Sequence, residues 1–505
     1  MRSSLSALGF LLSATACSPS FKAKTCALDT DCASGQACMF DVSGSSYCDV
    51  VASVPLNIGM SAPISGPQAA LGTEMKRGID LAFDEANAAG GIHGRPLQLS
   101  FLDDQYDPTQ AEANARKLTG ATMESGVAPH CPTTNNPVVA GASIISSAAL
   151  DRAPTGVLAM IGNVGTPTML RAAPVAIETK TLFFAPFTGA AFVLRDGSAM
   201  ACSKYIFNVR ASYANEERAT IEYFHALNVP DATHVVSFDQ NDSFGQSGYD
   251  GLTAAYPVIY PGAASQTIPR YRYTKNDDAS VDMQIAAVTT YLQSLLAGDA
   301  SSTHTVGIAM TSTYGAGARF IGGVKAWLYA NDMEQGVDHK ASRLSLHFSA
   351  ISFVGANAFA AGLIALDGAK PLTDPSGSKH SYTEGVIVSQ VVPNYFTDTS
   401  DIVSKYLKLI GQSGATPSFT SLEGYISGTI FVAGLRAHQG AYTADALIPT
   451  FENLPNLSLG LGATASFADH QYSKSVWGTA VGADGKFTNV YFWSSPGPIQ
   501  LYEGM

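Results

Sequence analysis

The clearest chemical reading belongs to GNVGTPT, residues 162–168, set between an apolar run and an amphipathic one. A strand that ends in such a loop and leads into a helix presents free backbone N–H groups at the carboxyl end of a sheet, here joined by the hydroxyls of Thr166 and Thr168. Thr166 reads as the helix cap and Pro167 as a residue of its first turn. The arrangement suits a small anion such as an amino-acid carboxylate, although an ordinary capped helix start has the same look. APFTG, residues 185–189, repeats the theme with Thr188 beside Phe187. DQNDSFG, residues 239–245, adds several caps and Phe244. Hydroxyls, amides and aromatic rings at several strand ends suit a pocket for a small zwitterion.

Little else in the chain points to catalysis. Asp103 and Asp104 are neighbours on extended chain, where successive side chains point opposite ways, so they read as loop anchors rather than an acid–base pair. The ten histidines form no HExxH or HxH pair; His93 reads as a turn residue and His470 as a surface or packing one. The fingerprints GxGxxG and GxxxxGK[ST] for nucleotides, and GxSxG for a seryl nucleophile, are missing. Glu423 begins an apolar helix, where a carboxylate suits the helix dipole; its alternative role is to support a cleft wall. The reading is no enzyme, no cofactor and no metal.

The elements that must position these loops follow from periodicity. Residues 56–60 form an apolar strand. Met75, Ile79, Ala82 and Ala86 recur at intervals of four, three and four, one face of a helix. Leu97, Leu99 and Phe101 alternate as a strand, and Asp107 caps a helix begun by Pro108. Further strands are expected at 156–161, 181–185, 234–238, 305–310, 346–353 and 384–392, and helices at 167–179, 245–254, 317–330 and 356–366. Strands followed by helices at this spacing imply parallel sheets covered on both faces. Residues 119–155 and 367–383 break the rhythm as insertions.

Composition narrows the partners. Of 505 residues only 14% are charged, with 29 basic against 41 acidic, a net charge of −12. A usual chain carries about 25% charged residues, and a nucleic-acid surface needs a concentrated basic face that is absent here. The N-terminus, MRSSLSALGFLLSATAC, places one arginine before an apolar run far shorter than the about 20 residues that span a bilayer. Residues 1–16 read as a signal peptide, and Cys17 resembles the lipid-bearing cysteine of bacterial lipoproteins; the rival is cleavage nearby with loss of Cys17.

The remaining cysteines fit an oxidising compartment. Cys26, Cys32, Cys38 and Cys48 fall within 23 residues that hold almost no large apolar group, so crosslinks are expected to hold that segment, 17–54, in shape. Which of the three pairings they adopt stays open. Zinc is the rival, but spacings of five, five and nine residues lack CxxC knuckles. Cys131 and Cys202 are expected to form a third pair.

Long, ordered stretches carry a family resemblance. IGMSAPISGPQAALGTEMKRGIDLAFDEANAAGGIHGRPLQLSFLDDQYDPTQAEANARKL, GNVGTPT, FFAPFTGA, FNVRASYANE, DQNDSFGQSGYDG, SFVGANAFAAGL, GVIVSQVVP, SLEGYISG and DHQYSKSV resemble, in order, the type I periplasmic binding proteins. The leucine/isoleucine/valine-binding receptors of ABC transporters are the branch most resembled, over about residues 56–495.

The resemblance implies an α/β fold of two Rossmann-like lobes with parallel central sheets, joined by three crossovers and preceded by the disulfide-rich segment. Lobe one would take 55–190 and 394–460, and lobe two 191–393 and 461–505. Thr166, with Gly165 and Thr168, would hold a ligand carboxylate, helped by Thr188 and Phe187, with Ser65 bordering the cleft. Tyr213, Phe244, Tyr314 and Phe353 would close over the ligand from lobe two. Phe244 stands where tyrosine is frequent, Gly165-Thr166 where Ser-Ser is frequent, and the acidic residue that binds a ligand ammonium near SFVGAN has no counterpart, which argues against branched-chain amino acids.

The implied function is a periplasmic receptor, anchored to a membrane by lipid, that captures an amino acid or similar small polar metabolite and delivers it to an ABC permease. A ligand sensor acting through a membrane partner is the alternative, and an amide or ester hydrolase a distant third.

Overall fold

The computed structural model describes residues 25–40, 45–124, 126–127, 149–190, 204–263, 265–298, 302–330, 340–374 and 376–502. The expectations for Cys17, Cys131 and Cys202 lie outside them.

Strand Leu56–Ala62 is buried at every residue but Asn57, the mark of a strand covered on both faces. It lies at the inside of a five-stranded parallel sheet, in the order Leu97–Asp103, Leu56–Ala62, Ala159–Ile161, Leu182–Phe184, Ile206–Phe207. Helix Ala69–Ala88 buries Met75, Ile79, Ala82 and Ala86, the stripe its periodicity predicts. Its partner is helix Phe419–Ala437, which arrives from late in the chain. The two touch through glycine: a Cβ on Gly78 would stand 2.0 Å from the Ser421 carbonyl oxygen, and one on Gly424 2.3 Å from that of Met75. This approach fixes the neighbouring Glu423 against the lobe.

The second sheet has eight strands. Arg270–Tyr273, Val235–Gln240, His304–Thr311, Leu344–Ala350 and Val386–Gln390 run parallel, and Ser475–Val481, Phe487–Ser494 and Gln500–Leu501 continue it antiparallel. The architecture is thus two α/β lobes with parallel central sheets, behind a disulfide-bonded segment.

Neighbouring crossovers pair where the chain passes between lobes. The Asn208 N–H donates to the His470 carbonyl at 2.8 Å and the Tyr472 N–H to that of Asn208 at 2.7 Å. Strand Ile206–Phe207 still belongs to the first sheet, and Phe467 packs on Phe184 and Phe207 at 5.6 and 5.3 Å. Apolar packing thus holds both stretches against the first sheet.

Cys26 is bonded to Cys38 and Cys32 to Cys48. Cys38 and Cys48 sit directly opposite each other in the hairpin Gln36–Phe40/Ser46–Val50, yet each is bonded back to the preceding loop. Among the described residues the sulfurs spaced closely enough for a metal are those of Cys26, Cys32 and Cys48, and all are consumed by these disulfides, which argues against the zinc rival in this segment. Within the insertion at 119–155, Ala121–Met123 pairs with Leu150–Arg152.

Candidate functional site

Loop 162–165 bends twice through positive φ, at Gly162 (67°) and Gly165 (101°). A Cβ on Gly165 would also stand 2.1 Å from the Tyr106 ring, so only glycine serves there. The bend brings Gly165 N–H to the Phe187 carbonyl at 3.1 Å and Phe187 N–H to the Asn163 carbonyl at 2.8 Å. Two strand-end loops are thereby laced together, and the Thr166 and Thr188 hydroxyls meet at 2.8 Å.

Thr166 is not the helix cap. Helix Thr166–Glu178 starts at Thr166 itself, with Gly165 as the capping residue and no side chain on the first amides. The glycine's positive φ carries the turn, which frees the threonine hydroxyl for Thr188. Thr168 turns inward and donates to the carbonyls of Val164 and Gly165. It supports the loop from behind.

The other lobe supplies rings. Tyr213 begins helix Tyr213–Ala226, whose capping box joins Ser212 and Asn215. Phe244 enters helix Ser243–Ile259 behind Asp242, which accepts from the Phe244 N–H at 2.9 Å. Phe353 sits in the turn Ser352–Val354 that ends strand Leu344–Ala350. Phe353 is the hub: its ring centroid is 5.2 Å from Phe187, 4.7 Å from Phe244 and 6.1 Å from Tyr106, and Tyr213 packs at a tilt against Phe244 at 5.6 Å. All five rings are buried. Thr188 donates to the Tyr213 hydroxyl at 3.2 Å, completing a chain of three hydroxyls across the two lobes.

Ser65 and Tyr314 stand apart from this cluster. Ser65 donates to Asp103 at 2.5 Å, and the Tyr314 hydroxyl donates to the Pro67 carbonyl. Both lie where the lobe edges meet, near Gln68, whose amide donates to Asn276 at 2.8 Å. Asp103 and Asp104 are loop anchors as expected: Asp103 accepts from the Ile64 and Gln105 N–H groups, and Asp104 from Ser61 and the Tyr106 N–H. His470 packs flat on Phe207 at 4.1 Å.

Sequence reasoning missed Tyr106 and Arg210. Tyr106 follows a strand end, as the other site loops do, and Lys275 of the second lobe donates to its carbonyl at 2.8 Å. Arg210 is a single arginine in the apolar crossover FNVRASY. Its guanidinium lies 4.9 Å from the Phe187 centroid, 3.3 Å from Glu216 and 3.5 Å from Glu423. Glu216 is further held by the Ser352 N–H and by the Ser352 and Ser389 hydroxyls. Glu423 lacks that support, and burial pushes its pKa up to about 7 despite Arg210. Arg210 Nε and Nη1 are buried without a hydrogen-bond partner. Opposite charges, three hydroxyls and an aromatic wall thus converge where the lobes meet.

Residues 55–127 match the model of the periplasmic binding protein family. A Leu/Ile/Val-binding protein homolog of Brucella abortus is 40% identical over 77 residues, 15% of this chain; the matched stretch spans only 19% of that relative's length. The likeness to a solved structure, of a possible leucine/isoleucine/valine-binding protein from Rhodopirellula baltica, is far longer: 30% identity, a TM-score of 0.63, and coverage of 88% of this chain and 98% of that one. The branched-chain amino acid transporter substrate-binding protein LivJ of Streptococcus pneumoniae, solved with isoleucine, shares the fold at 16% identity and a TM-score of 0.57, over 86% of this chain and 97% of its own.

Proposed function

Since the chain belongs to the periplasmic binding protein family, with the type I fold and a relation to its leucine/isoleucine/valine-binding branch, we propose that it is a non-catalytic receptor of the bacterial periplasm for an amino acid or similar small polar metabolite. In this reading the receptor is tethered to a membrane by lipid on Cys17 and hands its ligand to an ABC permease. The observation that carries it is the hydroxyl chain Thr166–Thr188–Tyr213, because it draws hydroxyl groups from both lobes to one point. A ligand gripped by both lobes stabilises the closed form through contacts the open form lacks.

Within that reading Thr166 and Thr188 receive the ligand carboxylate, Gly165 and Thr168 hold their loop in shape, and Phe187, Tyr213, Phe244 and Phe353 line its body. Ser65 and Tyr314 guard the rim. Thermal unfolding of the chain against amino acids, amides, short peptides and aromatic acids tests the proposal, since a ligand of the folded state raises the melting temperature by mass action. A saturable rise with one chemical class supports it and names the class. A rise without response to leucine, isoleucine and valine would trace to the missing acidic residue near Phe353. No rise across the panel, from folded protein, would sink it.

A further inference from the structure

Strands Leu56–Ala62 and Ala159–Ile161 begin at the end of the first sheet opposite the strand-end loops. There the disulfide-bonded segment leans over the lobe and leaves a cavity of about 210 Å³ between them. Leu28 and Met39 of the segment form one wall, and Leu158 with Tyr442 of the lobe another; Arg95 and Arg152 also line it. The charge of Arg95 is answered by Asp29 at 2.5 Å. Arg152 is different: its Nη2 donates to the carbonyls of Gly156 and Val157, both at 2.7 Å, and among the described residues no carboxylate pairs with it. Two neutral carbonyls leave the guanidinium charge uncompensated and its Nε and Nη1 hydrogens available, and burial disfavours that charge further.

We propose that this cavity is a second binding site, remote from the interlobe cleft, for a small organic monoanion with an apolar body. A carboxylate on Arg152 Nη1, a terminal nitrogen with no carbonyl on it, supplies the missing charge through a charge-assisted hydrogen bond. The apolar body rests on Leu28, Met39 and Leu158. The volume sets the size: it lies below the about 300 Å³ at which pockets for drug-sized molecules begin, so the occupant has the bulk of a single ring or short branched chain. The disulfide-bonded segment is then a wall of a site as well as a spacer, and the occupant bridges segment and lobe.

Benzoate is a suitable probe, because its ring shifts the resonance of any methyl group it covers. In the full chain labelled at methionine methyls, the Met39 resonance, assigned by its loss in Met39→Leu, is expected to move saturably with benzoate. Arg152→Gln should weaken that response roughly tenfold or more, the loss of one charge-assisted hydrogen bond. Thr188→Val, in the cleft, should leave it in place, so cleft binding and this site are read separately. Leu28→Trp, at an exposed position, should block it sterically and decides the matter if Arg152→Gln fails to fold. A Met39 resonance that stays still into the millimolar range, or that moves equally in Arg152→Gln or Leu28→Trp, overturns the proposal.

Discussion

Arg210, on the first crossover, and Glu423, on a helix of the first lobe, face each other at 3.5 Å with both side chains almost wholly buried. The pair is incomplete: Arg210 shares its charge with Glu216, and removing Glu423 from water outweighs what Arg210 returns, so its pKa rises from 4.5 to about 7.

That shift has a sign. The folded state holds a proton on Glu423 that the unfolded chain releases near pH 4.5, so stability falls as pH rises from about 4.5 to about 7. Asp104, pushed up to about 6 by burial, adds to the same trend. Glu423→Gln should flatten the decline of melting temperature with pH across this window, and the profile of the two proteins side by side measures it. Parallel profiles would show that Glu423 titrates normally.

Gly165→Ala forces a Cβ into the Tyr106 ring at a φ of 101°. Strain and overpacking together should destabilise the fold by roughly 2 kcal/mol or more. Chemical denaturation reads the loss, and a neutral result would mean that the loop can re-route without its glycine.

Thr188→Val keeps shape and deletes the middle hydroxyl of the interlobe chain. The stability change should be about 1 kcal/mol. Combined with Tyr213→Phe the effects should fall short of additive, since both break the same contact. Additive losses in a double-mutant cycle would separate the two residues.

Reducing agent should release segment 25–50 alone. That segment has little core of its own, and each disulfide contributes about 2–4 kcal/mol in a typical small unit. Limited proteolysis under reduction should cut within it, while the main melting transition of the two lobes moves little. Collapse of that transition would show that the lobes depend on the segment.

Much of this fold was legible because its strands and helices announce themselves locally. The stripe from Met75 to Ala86 and the Asp107 cap needed only near neighbours. Phe187 and Phe244 stood out in loops that follow strands, whereas Phe353 was named only through the family resemblance. Thr166 was misread as a cap because the left-handed bend at Gly165 depends on Tyr106, some 60 residues earlier. Arg210 and Tyr106 were missed for a related reason: their meaning lies in partners from distant segments, Glu423 and Lys275, that no local pattern connects. The cysteine pairing was equally closed to sequence, since register opposes Cys38 to Cys48 while the bonds run elsewhere.

Asp29 fastens the N-terminal segment to the first lobe: held inside the segment by the Cys38 N–H at 2.9 Å, it pairs across to Arg95, whose Nε donates to the Val54 carbonyl. Among the described residues this bolt runs to the first lobe. In a receptor moored through its N-terminus, the first lobe becomes the fixed frame and the second the moving arm. Ligand capture would then appear, to anything waiting at the membrane, as the swing of a single jaw rather than the mutual closing of two.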